Sequence, residues 1–218
     1  MKILDVPQSG SMAGTTSSRN RFGQYRRSRS IPVNPGTGAQ GVVRARMSAN
    51  AAAWRGLTDA QRAGWESLGG SIVRSDALGQ NYTLNGFMAY CSVNNNLDLC
   101  GSATVADAPA LDTPDALLTA TVTLSSVAFS IAYTPTPMPA NTFLLVFASQ
   151  QRSAGRNFEG DLRFIQKTAA AAASPVNVLA AYTAKWGVPV TGNKVFISLV
   201  ASRHGFESGP LLTSAVVA

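Results

Sequence analysis

The spacing of apolar residues changes period once along this chain, and that change restricts the fold to two kinds of structure joined in series. Val43, Met47, Asn50 and Trp54 recur at helical intervals and share one face. Thr37 stands ahead of them as an N-cap with Gln40 as its capping-box partner, so a helix is expected over residues 39–55, ended by Gly56. Thr58 and Gln61 repeat that arrangement before a second helix, whose inner face is Ala60, Gly64, Trp65 and Leu68 and whose stop is Gly69-Gly70. Residues 71–74 and 80–84 read as a small hairpin, and Asn85 caps a third helix over residues 86–99 with Phe87, Tyr90, Cys91, Asn94 and Leu97 inward. The expected helical core is therefore Val43, Met47, Trp54, Trp65, Leu68, Phe87 and Tyr90, and the asparagine run 94–96 is its weak point.

After a stretch rich in Ala, Asp, Thr and Pro, the pattern becomes alternation. Residues 121–124, 128–133, 143–148, 162–167, 195–201 and 211–217 are rich in Val, Ile, Phe and Thr and are separated by turn residues, which predicts short antiparallel strands. One helix is inserted before the fifth strand, with Ser174 as its cap, Pro175 at its first position and Trp186-Gly187 as its close. The expected class is α+β. Its parts are an extended basic arm (1–38), a small helical domain with a short β-hairpin (39–101), a linker (102–116) and an antiparallel β-sandwich (117–218).

The arm is broken by glycine and proline and carries apolar pieces: Ile3, Leu4 and Val6, then Phe22 and Tyr25, then Ile31 and Val33. Up to residue 66, ten Lys and Arg face only Asp5, Asp59 and Glu66; beyond it eight basic residues meet eight acidic ones, so the formal charge of +7 lies in the first third. Nine of those ten cations are Arg, whose planar fork binds carboxylate, phosphate or carbonyl oxygens in pairs. Charged residues are only 13% of the chain, about half the usual share, which favours a surface covered by other copies. The arm residues expected to make those contacts are Arg19, Arg21, Phe22, Tyr25, Arg26, Arg27, Arg29, Ile31 and Val33. The same residues also fit a polyanion, with guanidinium groups on phosphates and rings on bases.

Catalytic patterns are missing from the sequence. His204 is the single histidine, and no nucleophile or orienting carboxylate is marked as its partner. Cys91 and Cys100 with one His fall short of a zinc set and read as small apolar residues. There is no glycine-rich phosphate loop and no paired-carboxylate pattern. No metal, cofactor or small-molecule substrate is expected. Arg55 and Arg62 flank a helical turn, but Asp59 opens the second helix and few polar side chains follow, which disfavours a DNA-reading helix. Arg152, Arg156 and Arg163, near Glu159 and Asp161, read as a surface or subunit contact. No apolar run approaches the roughly 18 residues of a membrane span, and residues 1–10 lack a secretory apolar core, so synthesis in a cytoplasm is expected.

The run Ser18-Arg19-Asn20-Arg21-Phe22-Gly23-Gln24-Tyr25, followed by Pro32-Val33-Asn34-Pro35, Gln40, Val43-Arg44, Trp54-Arg55-Gly56-Leu57-Thr58-Asp59-Ala60-Gln61-Arg62 and Trp65, resembles a family of virion structural proteins of tailed phages and prophages. The resemblance reaches to about residue 101; the β part is similar, in the general sense only, to an immunoglobulin- or fibronectin-like module. It implies a non-enzymatic component of the capsid surface, connector or tail, whose partners are copies of itself and other virion proteins, and it supplies no catalytic residues. Two alternatives stay open: a nucleic-acid-binding protein that uses the arm, and a host-surface adhesin that works through the β module.

Overall fold

The computed structural model describes residues 8–75 and 79–218. The chain forms two compact units, Met1–Val43 and Arg44–Ala218. The class is α+β, as the change of period predicts.

The first unit departs from the expected extended arm. Strands β1 (Gly10–Met12), β2 (Thr15–Asn20) and β3 (Gly23–Ser28) form an antiparallel meander in the order β1-β2-β3. The glycines that break a helical period here supply turns between strands. Arg21-Phe22 is the two-residue loop between β2 and β3; Asn20 Oδ1 accepts the Phe22 N–H at 2.9 Å, and Gly23 takes φ +117°. Residues 29–37 continue without regular structure, with Ile31 and Val33 exposed. Ile3, Leu4 and Val6 lie outside the described residues.

Helix α1 (Gly38–Arg55) follows, with Thr37 and Gln40 exchanging the expected capping bonds. Then come α2 (Asp59–Ser71), the short hairpin β4 (Val73–Ser75) and β5 (Asn81–Thr83), and α3 (Gly86–Leu99). Thr58 and Gln61 complete a capping box on α2, and Asn85 Oδ1 accepts Met88 N–H on α3. Trp65, Leu68 and Tyr90 are buried, with Phe87 and Trp54 partly so. Trp54 packs on Phe87 and Tyr90, and Trp65 meets Tyr90 edge to face at 5.2 Å.

Two residues assigned to this core are not in it: Val43 is 62% exposed and Met47 42%. Arg46 already pairs with Asp98 in the last turn of α3, so the helix that buries Asn50 and half-buries Trp54 gives out at that point.

Residues 102–116, expected as a linker, are instead a strap held on the body. Trp65 Nε1–H donates to Ala106 C=O at 2.8 Å, and Gln61 Nε2 donates to Asp107 Oδ1 at 3.0 Å. Asn94 makes a two-way pair with Val105, while Asn95 Oδ1 accepts from Asn50 and Asn96 donates to Gly205 C=O. The asparagine run thus spends its amides on three separate long-range contacts. With Phe206 in the helical cluster and Gly205 against Val93, the helical and β parts belong to one unit and not to two domains.

The β part is built from β6 (Thr119–Leu124), β7 (Phe129–Thr134), β8 (Thr142–Ala148), β9 (Arg152–Ser153), β10 (Arg163–Lys167), β11 (Val176–Asn177), β12 (Asn193–Arg203), β13 (Phe206–Glu207) and β14 (Leu211–Val216). One sheet runs β11-β7-β6; the other is centred on β12, which pairs with β8 and β14 along its length and with β9 and β13 at its ends, while β10 pairs with β8. Val195, Ile197, Leu199 and Ala201 of β12, Leu144, Val146 and Ala148 of β8, and Phe129, Ile131 and Tyr133 of β7 meet in one core, so the two sheets form a sandwich.

The inserted helix α4 (Leu179–Trp186) starts later than predicted. Pro175 follows a cis peptide, Ser174 Oγ accepts the Tyr133 N–H at 2.9 Å, and the chain first adds β11 to the smaller sheet. The hydroxyl expected to cap a helix therefore caps a sheet edge. Tyr182 of α4 enters the core against Phe129, and burial pushes its phenol up to about 12.

Candidate assembly surface

The arginines of the first unit are set out by the register of its sheet. Paired residues share a face, so Arg19 and Arg26 lie on one side with Ser17 and Gln24, while Arg27 and Tyr25 lie on the other with Thr16 and Ser18. Arg21 sits at the loop tip with its guanidinium 4.6 Å from the Phe22 ring centre, and Phe22 is 73% exposed. Arg29 continues past β3, held by its N–H on Gly14 C=O, and the exposed Ile31 and Val33 follow. The structure thus brings Arg19, Arg21, Phe22, Tyr25, Arg26, Arg27 and Arg29 onto one small sheet and leaves Ile31 and Val33 beyond it.

Residues 8–58 contain eight Arg and no Asp, Glu or Lys. Of these, Arg46 meets Asp98; beyond residue 58, Arg62 meets Asp59, Arg152 and Arg156 share Glu159, Arg163 meets Asp161 and Arg203 meets Asp112. Arg62 also donates to Arg55 C=O at 2.9 Å, so near the α1–α2 turn it closes the end of a helix. The cationic loop at Arg152, Arg156 and Arg163 is thereby balanced in part by its own acids. The Asp161 N–H, working against partial desolvation and joined by Arg152 and Arg156, holds the Glu159 carboxyl below its ordinary value.

The complementary feature lies further along and was legible in charge order alone. From residue 75 to 151 there is no Lys or Arg, and the charged residues are Asp76, Asp98, Asp107, Asp112 and Asp115. Three of these acids lie on the strap.

The strap also explains the one histidine. His204 Nδ1 lies 3.0 Å from Asp112 Oδ2, and Arg203 binds the other carboxylate oxygen. Against partial desolvation, hydrogen bonds from Arg203 and His204 lower the Asp112 carboxyl. A hollow of about 290 Å³ beside His204 is floored by Leu97, Cys100, Phe143 and Ser202. Cys100 is buried next to Ser202 Oγ, and burial pushes its thiol up, the reverse of what a nucleophilic thiolate needs. The His204–Asp112 pair fastens the strap to the end of β12. Among the described residues no group of three or more His, Cys, Asp or Glu side chains converges to hold a metal ion, and no helix is long and apolar enough to cross a membrane.

No protein-family model matches this sequence, and no curated protein matches it.

Proposed function

We propose that the protein is a non-enzymatic structural protein of a phage-type particle, joining copies of itself through its first unit and presenting the sandwich between or upon them. The observation that carries this reading is the surface of the first unit. Met12, Phe22, Ile31 and Val33 are 73–88% exposed among arginines, in residues 8–43 that hold no acid. Apolar side chains spread over so small a unit fit contact with protein better than permanent solvation. Contacts of modest strength, repeated around a particle, give a firm assembly through multivalency.

Sedimentation velocity of the full chain against a variant lacking residues 1–36, which keeps the Thr37 cap, tests this. Loss of the oligomer in the shortened chain is the expected result; equal masses overturn the proposal.

The acid-free run of eight arginines favours a second reading, in which the first unit clamps nucleic acid. Binding that falls steeply with salt, with slope set by the number of phosphates neutralised, would support it. An assembly held partly by Ile31 and Val33 should weaken far less.

A further inference from the structure

The strap combines fixed position with an open backbone. Ser102 N–H bonds Leu97 C=O and Leu118 N–H bonds Thr134 C=O, but among the described residues the only backbone N–H of residues 103–117 with a hydrogen bond is that of Val105, to Asn94. Side chains of Trp65, Asn94, Arg203 and His204 hold the segment from beneath. Its outer side shows Leu111 at 50% exposure, and Leu118 just beyond at 76%. It also carries Asp107 and the exposed Asp115. An ordered segment with unpaired backbone groups is a template for another strand.

The first unit supplies a strand that matches. β3 is an edge of its sheet, so one of its backbone edges is open, and Arg27 and Arg29 are followed by exposed Ile31 and Val33. The acceptor run holds acids and no bases and the donor run bases and no acids, so opposite signs meet when one copy docks on another.

We infer that β3 and the following residues to Val33 of one copy lie along residues 107–118 of a second copy, as an added strand. With the two segments antiparallel, Arg27 faces Asp115 with Arg29 next to it on the same face, and Ile31 covers Leu111 with Val33 beside it. Pro109 and Pro114 lack N–H groups, so backbone pairing is confined to the residues between them and the side chains supply the rest. Donor and acceptor are different surfaces, so the contact is head to tail and propagates into a ring or a filament. The inference rests on the assembly reading and adds the surface that receives the donor.

Charge exchange in the full chain tests it, with association read by sedimentation velocity at low salt and folding by circular dichroism. Asp115→Lys, and separately Arg27→Glu, should each weaken self-association by about tenfold or more. The double variant should regain it, a result that misfolding cannot produce. Asp115→Asn should weaken association less than the reversal. If the strap variants associate as the parent does while removal of residues 1–36 abolishes the oligomer, the strap is not the acceptor and the assembly reading stands. If the shortened chain keeps the parent mass, both fall. A double variant that folds yet stays monomeric also overturns the strap as acceptor.

Discussion

Asn94 and Val105 are joined by two hydrogen bonds: Val105 N–H to Asn94 Oδ1 at 2.7 Å and Asn94 Nδ2–H to Val105 C=O at 3.2 Å. The Asn94 side chain imitates a neighbouring strand, so one fully buried amide stands in for the ladder the strap lacks. The strap is thereby ordered without being paired, which is what leaves its outer side open.

Asn94→Leu keeps roughly the volume but strands Val105 N–H and C=O without their partner. The expected loss is about 2–3 kcal/mol of unfolding free energy, measured by urea denaturation. Protease cleavage within residues 102–116 should also quicken in this variant.

Trp65 is fully buried, and its indole N–H is a second fastening for the strap, at Ala106. Trp65→Phe retains a ring against Tyr90 and should cost about 1–2 kcal/mol more than the ring's lost area alone, because Ala106 C=O loses its donor. Trp65→Ala should cost about 3–5 kcal/mol. Thermal unfolding of both variants, compared with Asn94→Leu, separates the contribution of the core from that of the strap.

Gly205 joins β12 to β13 at φ +84°, and a Cβ there would lie 2.6 Å from Val93 Cγ1 and 2.7 Å from Val93 C=O. Backbone conformation and space both exclude a side chain. Gly205→Ala should lower Tm by several degrees and loosen the helical cluster from the sandwich, whereas Gly155→Ala, with nothing within 4 Å of its Cβ, should leave Tm nearly unchanged.

Asp112, Glu159 and Asp161 all have carboxyls lowered in the folded protein. A lowered folded pKa means that the unfolded chain takes up the proton first as pH falls. The stability these groups lend is present above the ordinary carboxylate range of about 4 and is lost as pH drops through the lower folded values. Denaturant midpoints taken from pH 6 to pH 2 should therefore fall in the acid limb, and Asp112→Asn should flatten part of that fall while releasing the strap from Arg203 and His204.

Local chemistry wrote much of this fold where it can be read directly. Thr37, Thr58 and Asn85 cap helices because each hydroxyl or amide satisfies a backbone N–H within its own turn, and the strands around Ile131, Val146 and Ile197 show in short runs rich in Val, Ile, Leu and Phe, side chains that suit a pleated backbone. The charge order, with arginines alone from residue 8 to 58 and acids alone from 75 to 151, is likewise a property of the chain.

Tertiary structure decided which of those local elements were covered. Val43 and Met47 carry the right spacing for a core, yet α3 ends where Arg46 meets Asp98, and a helical stripe is buried only as far as its partner extends. Ser174 fits the opening of a helix by itself, but the edge of β7 offered it Tyr133 N–H and the chain took a strand first. The segment from 102 to 116 has no periodicity to read, because its order comes from Trp65, Asn94, Arg203 and His204, residues 41, 11, 91 and 92 positions from those they hold. Pattern within a turn or a strand is set by bonds between near neighbours; burial and closure of distant loops depend on which surfaces meet, and that is settled only when the whole chain has folded.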